Sequence, residues 1–193
     1  MNLQKEFWIK NMVCNRCLKV IKQELEELGI IVFSLELGKL LVEASKKTDR
    51  DITKNVARVL HSNGFEIVQS DEEILVEKIK IILIELLNKL PLQLKVNTSE
   101  YLSVNLNKDY KTLSKLFSKN QETTIEKYFI KLKVEKVKEL IQLRQYSFSD
   151  VAYMLDYSSI NHLSRQFKEI AGMPMTDYKN LREWKRNFYD EII

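Results

Sequence analysis

The chain has 193 residues but only four glycines, two prolines, two cysteines and two histidines. So few turn formers exclude an all-β protein built from tight hairpins. Two cysteines spaced as closely as Cys14 and Cys17 read as a metal or redox pair rather than a disulfide that staples a fold. A structural zinc site is not expected, because there is no second cysteine pair and His61 and His162 fall on other elements. No apolar run reaches the length of a membrane span. The longest, residues 79–90, is broken by Lys80, Glu85, Asn88 and Lys89. The start, Met1-Asn2-Leu3-Gln4-Lys5-Glu6, lacks a positive cluster followed by an apolar run, so no signal peptide is expected and a cytoplasmic location is. Neither a nucleophile–base pair nor a glycine-rich phosphate loop appears, which argues against an enzyme.

What is present is helix-forming. Apolar residues make up 45% of the chain, enough for a real core, and Leu, Ile, Lys and Glu dominate. The net charge is +4, and it is unevenly placed: residues 1–100 hold 15 basic and 15 acidic side chains, residues 101–193 hold 16 and 12. A basic excess confined to the second half suits a polyanionic partner or a solvated helical surface equally.

The first 70 residues alternate strand and helix patterns. Phe7-Trp8-Ile9 reads as a strand, and Leu18, Ile21, Leu25 and Leu28 share one helical face. Residues 30–37 read as a strand with Ile31, Phe33, Leu35 and Leu37 on one side, turned at Gly38 into a returning strand, 39–43. A second helix, 49–62, carries Ile52, Val56, Val59 and Leu60 and closes at Asn63-Gly64 before a last strand, 65–68. The order βαββαβ is the ferredoxin-like plan. Ser70 or Asp71 starts a helix running to Lys89, and the rest of the chain reads as helix. The expected class is therefore α+β: a ferredoxin-like domain, residues 1–70, followed by an all-α domain, residues 71–193.

The second half contains one arrangement twice. A short helix, a tight turn and a second helix occur at residues 99–119 and recur at 147–168. The two second helices share a phrase, Leu113-Ser114-Lys115-Leu116-Phe117 and Leu163-Ser164-Arg165-Gln166-Phe167. In each, Leu and Phe four apart face inward as an anchor, while a hydroxyl and a cation between them face out. A recognition helix in a DNA groove needs that pattern. Asp109 and Thr124 are candidate helix caps. Ser147 with Asp150 resembles a capping box, and Ser158 is expected to cap the helix from 159. Between the two units, a helix over residues 124–143 would span about 30 Å, close to the roughly 34–36 Å between successive major-groove faces. A final helix is expected over residues 176–188, with Trp184, Phe188 and Tyr189 as core or dimer contacts.

These residues resemble the AraC/XylS family of bacterial transcription regulators, over about residues 73–181. The most specific stretch runs from Ser147-Phe148-Ser149-Asp150 through Asn161-His162-Leu163-Ser164-Arg165-Gln166-Phe167-Lys168 and closes at Gly172-Met173-Pro174. The resemblance implies two helix-turn-helix units joined by a long helix. It implies double-stranded operator DNA as partner, with RNA polymerase and a second copy of the chain as further partners. By position it carries DNA contacts over to Lys111, Thr112, Ser114 and Lys115, and to Ile160, Asn161, Ser164 and Arg165. Asn107 and Asp156 stand where the family usually has Gly, and Lys133 where it usually has Arg. Asn and Asp tolerate left-handed backbone, so the turns should survive.

Met12-Val13-Cys14-Asn15-Arg16-Cys17 lies between the first strand and the first helix. There two thiols converge at a helix N-terminus beside Arg16, which favours thiolate. Soft sulfur donors select Cu(I) or another thiophilic metal ion. The segment 5–68 resembles the heavy-metal-associated domain of copper chaperones and transporters, with Asn11 replacing the usual Gly before Met12. The resemblance implies Cys14 and Cys17 as metal ligands. A Cys14–Cys17 disulfide acting as a redox switch is the competing reading, and a fold kept only for dimerisation is a third. The function expected is a DNA-binding regulator controlled by metal or redox state. A metal carrier whose helical half binds a protein, and a DNA-binding architectural protein without sensing, are the alternatives.

Overall fold

A computed structural model describes residues 3–12, 15–44, 49–92, 94, 96–181 and 183. The fold is α+β, a small antiparallel sheet followed by a helical region, and the chain divides into two units, Met1–Ile81 and Ile82–Ile193.

In the first unit, β1 (Leu3–Lys10), β2 (Val32–Glu36), β3 (Lys39–Ala44) and β4 (Glu66–Ile67) form one sheet in the order β2-β3-β1-β4, each neighbour antiparallel. Helix α1 (Asn15–Glu27) connects β1 to β2, and α2 (Asp49–Ser62) connects β3 to β4. The period of two along β1 buries Phe7 and Ile9 and turns Trp8 to the other face. Phe7 and Ile9 meet Ile21 and Leu25 of α1 and Val56 and Leu60 of α2 in one apolar core. Trp8 instead lies under the ammonium groups of Lys39 and Lys78, 5.6 and 4.8 Å from its indole.

Two expectations about this unit are corrected. Ile31, just ahead of β2, and Phe33 on it are exposed, and Val32 packs against the core together with Leu35. An irregularity in the β2–β3 register between Val32 and Ser34 accounts for it. One extra residue in a strand exchanges its faces, which an alternating pattern does not reveal. Leu28 is exposed as well, because α1 ends at Glu27 and the chain turns through Gly29, with the Ile30 N–H reaching back to the Leu25 carbonyl.

Helix α3 (Asp71–Asn88) starts with the acids Asp71, Glu72 and Glu73. Ser70 Oγ accepts from the Glu73 N–H at 3.2 Å, and Glu73 accepts from the Gln69 N–H at 3.3 Å. The division between units falls inside α3 rather than at residue 70, and its first half carries Glu77 and Lys80, which bond to Asn11 just past β1.

The second unit holds the rest of α3, then α4 (Thr98–Leu106), α5 (Tyr110–Gln121), α6 (Ile125–Leu143), α7 (Phe148–Met154), α8 (Ile160–Ala171) and α9 (Met175–Lys179). Short polar caps set these boundaries. Asn97, Asp109, Thr124, Ser147 and Ser159 each accept from a backbone N–H in the first turn of the helix that follows. The cap of α8 is thus Ser159 and not Ser158, whose hydroxyl instead meets His162 Nδ1 at 3.2 Å. Ser147 and Asp150 form a true capping box. Hydrogen bonds from the Ser147 hydroxyl and N–H hold the Asp150 carboxyl below its usual range. The stabilisation this box gives is therefore present at neutral pH and lost as pH falls through the carboxylate range. Helix α9 ends at Lys179, short of the expected helix to 188, and Trp184, Phe188 and Tyr189 lie outside the described residues.

Candidate nucleic-acid interface

The pairs α4–α5 and α7–α8 are two helix-turn-helix units. Each turn is made by a non-glycine residue in left-handed backbone, Asn107 at φ 49° and Asp156 at φ 57°. Asn107 also closes α4, its N–H pointing to the Ser103 and Val104 carbonyls. Asn107→Ala is expected to cost roughly 1–2 kcal/mol, since a Cβ without a local polar partner is strained there, while Asn107→Gly is tolerated. Urea denaturation of the two variants checks this, and equal midpoints for Ala and Gly would refute it.

Leu113 and Phe117 on α5, and Leu163 and Phe167 on α8, are fully buried. The Phe117 ring lies 5.4 Å from Tyr128 of α6, and the Phe167 ring 5.6 Å edge-on to Tyr178 of α9. Tyr178 is itself tied to α6, its hydroxyl accepting from Gln142 Nε2 at 2.8 Å. Helix α6 touches α5, α7, α8 and α9, so both recognition helices are seated against neighbours of one scaffold. At 19 residues, α6 is about 28 Å long.

With the anchors inward, the other faces of α5 and α8 turn to solvent. Lys111, Thr112 and Lys115 are exposed and Ser114 is half-buried. Asn161 and Arg165 are exposed, Ile160 retains 38% exposure, and Ser164 is half-buried. All eight expected contact residues thus lie on the two recognition helices. Thr112 is the most constrained: its hydroxyl and N–H both donate to the Asp109 carboxylate, at 2.7 and 2.8 Å, leaving the hydroxyl oxygen as an acceptor. Ser164 and Arg165 line a surface cavity of about 620 Å³ with Phe148, Pro174 and Lys168. Lys168 was not among the expected contacts, although its position one turn beyond Ser164 puts it on the same face.

Lys133, in place of the usual Arg, serves the second turn. Its Nζ donates to the Leu155 carbonyl at 2.9 Å and lies 5.2 and 5.0 Å from the Phe129 and Tyr157 rings. Burial pushes its amine below the usual lysine range, with nearby Asp156 opposing. Tyr157 in turn donates to Gln166 Oε1 at 2.6 Å, joining α6, the turn and α8. Sequence spacing gave no sign of this network, because its members are tied by packing and not by a period.

Of the two thiols, Cys17 stands in the first turn of α1, half-buried against the core, and Cys14 lies outside the described residues. Among the described residues, no three His, Cys, Asp or Glu side chains cluster as a metal site. No helix among the described residues is long and apolar enough to cross a membrane.

Duplicated helix-turn-helix units with exposed cations on both second helices define a DNA-binding domain. Residues 102–181 match the family described as "Helix-turn-helix domain". This is a helix-turn-helix domain of the AraC type, the kind carried by transcription regulators, and it covers both units from within α4 to just past α9. No curated protein matches the chain.

Proposed function

We propose that this protein is a sequence-specific transcriptional regulator that reads two successive major-groove segments of operator DNA with α5 and α8, and that Cys14 and Cys17 control the binding. The observation that carries the first part is the repeated Leu–Phe anchor, which leaves Lys111 and Lys115 exposed on α5 and Asn161 and Arg165 exposed on α8. In this reading the lysines contact phosphate and Arg165, exposed on α8, pairs with a guanine edge. A duplex recovered by selection from random sequence provides the test. Arg165→Ala should weaken its binding by roughly 1–3 kcal/mol and relax specificity at one base pair. Titration by mobility shift that shows unchanged affinity would refute the assignment.

The second part rests on chemistry and topology together. The strand order β2-β3-β1-β4 with two crossover helices supports a ferredoxin-like first unit. In sequence Cys14 directly precedes α1 and Cys17 is its third residue, and a helix N-terminus is a setting that favours thiolate. The pair would hold Cu(I) or another thiophilic ion through its two sulfurs. Operator affinity of the reduced apo protein should differ from that of the Cu(I)-loaded protein. It should also be compared with protein treated with diamide, which takes up the two electrons and two protons released as a Cys14–Cys17 disulfide forms. The Cys14→Ser, Cys17→Ser variant should lose any difference. A wild-type protein indifferent to both treatments would leave a DNA-binding regulator without this control. The reading places the protein in the cytoplasm, with RNA polymerase and a second copy of the chain as further partners.

A further inference from the structure

Between the two helix-turn-helix units lies a cavity of about 470 Å³. Its floor is α6, through Phe129, Ile130 and Lys133. One wall is the first turn of α4 together with Tyr110 at the start of α5. The other is the turn residues Asp156 and Tyr157, with His162 and Gln166 of α8. None of the eight expected DNA contacts lines it. The volume falls within the roughly 300–1,000 Å³ of small-molecule sites, which likewise combine apolar walls with a few convergent polar groups.

Lys133 supplies the charge. Its Nζ donates to the Leu155 carbonyl at 2.9 Å, a neutral acceptor, and stands over the Phe129 and Tyr157 rings at 5.2 and 5.0 Å. An ammonium carries three donors, so one carbonyl leaves N–H groups for a ligand. Burial strips this ammonium of hydration and pushes its amine below the usual lysine range, and Asp156 opposes the shift through space. An anion in the cavity would restore what hydration lost. Gln166 adds a second donor: its Oε1 accepts from Tyr157, and its amide N–H groups are the part left to donate. The acids limit the charge of the ligand. Glu126 and Asp156 also line the cavity, and the Tyr110 hydroxyl donates to Glu126. One negative charge can be met by Lys133, whereas a dianion such as a phosphate monoester would be repelled by the two carboxylates. The rings of Phe129, Tyr110 and Tyr157 give a planar apolar body faces to stack on.

We propose that this cavity binds a small aromatic monocarboxylate, its carboxylate on Lys133 and Gln166 and its ring against Phe129 and Tyr157, and that occupancy controls DNA binding. The control rests on the reading of α5 and α8 as the helices that enter DNA. A ligand in this place touches both helix-turn-helix units and favours one spacing of α5 and α8. It shifts duplex affinity by its preference for that spacing.

The experiment uses the full chain and two probes, 2-naphthoate and the neutral 2-naphthamide, titrated by calorimetry. Naphthoate should bind saturably at one site, and the amide roughly tenfold more weakly or worse. Lys133→Met should weaken naphthoate by a similar factor. Because Lys133 also holds the second turn, Ile130→Trp is the second variant. It fills the cavity from its floor, leaves the Lys133–Leu155 bond in place, and should abolish binding. In mobility shifts with a selected duplex, saturating naphthoate should change wild-type affinity by about fivefold or more, and leave that of Ile130→Trp unchanged. Equal affinities for the two probes overturn the carboxylate assignment. Naphthoate binding that survives Ile130→Trp, or no wild-type binding up to about 1 mM, overturns the site. Binding without a change in duplex affinity overturns the control. A ligand-free protein that binds no duplex overturns the DNA reading instead, and the calorimetry still decides the site.

Discussion

Phe167→Ala should destabilise the second unit by about 3–5 kcal/mol, the usual cost of emptying a fully buried phenylalanine site. The side chain has no exposed surface, and its ring meets Tyr178 edge-on at 5.6 Å. Its loss therefore removes transfer energy and an aromatic contact together. Collapse of neighbours into the space is restricted, because Tyr178 is held by Gln142 at 2.8 Å and cannot swing inward without breaking that bond. The consequence for function is larger than the stability alone, since Arg165 and Asn161 are carried by the helix that Phe167 anchors. Phe117→Ala should behave alike in the first helix-turn-helix unit, where the partner is Tyr128. Ile160→Ala, at a site already 38% exposed, should cost under about 1 kcal/mol. Chemical denaturation of the three variants distinguishes anchor from contact residue. A loss below about 1 kcal/mol for Phe167→Ala would mean that the helix is not seated by this side chain.

Lys80→Met alone should cost about 3–5 kcal/mol, because it strands the Glu77 carboxylate in a site where 3% of the residue is exposed. The Asn11 N–H would still donate to Glu77, but one hydrogen bond does not replace a charge partner at 2.8 Å. Adding Glu77→Leu to Lys80→Met should recover most of the loss, since two apolar side chains carry no desolvation penalty. The sign of that recovery is the informative part. A double variant as unstable as the single one would mean that the pair stabilises the unit outright and is not kept for position. Thermal or urea unfolding of the full chain, followed through Trp8 fluorescence, reports the first unit. Trp8 lies 4.8 Å from Lys78 on α3, so it senses the same helix.

The two helix-turn-helix units were legible in the sequence because the forces that make them act over short spans. A cap and the N–H it accepts from are three residues apart, as in Asp109–Thr112 and Ser147–Asp150. An anchor pair is four apart, as in Leu163–Phe167. The left-handed turns needed only that Asn107 and Asp156 be residues able to adopt them. Ser158 against Ser159 shows the resolution of such reasoning: either hydroxyl can cap a helix, and the backbone angle at 159 decided. The face of β2 was not legible. An irregular register against β3 exposes Phe33 and turns Val32 inward, and nothing within the strand announces it.

Charge was the least legible property. Lys80 read as a polar break in an apolar run, and Lys133 as a substitution for Arg, yet one is 1% exposed and the other is bonded to a turn carbonyl. The partners of Lys80 and Glu77 lie at Asn11, 69 and 66 residues away, beyond the reach of any local pattern. By itself the sequence determined that the second half carries two matched, capped and anchored helix-turn-helix units, since hydrogen bonds and apolar periods within single segments specify them. Only the tertiary structure decided that Glu77 and Lys80 of α3 bond to Asn11 at the end of β1, because that required chain segments distant in sequence to exclude water around a charge.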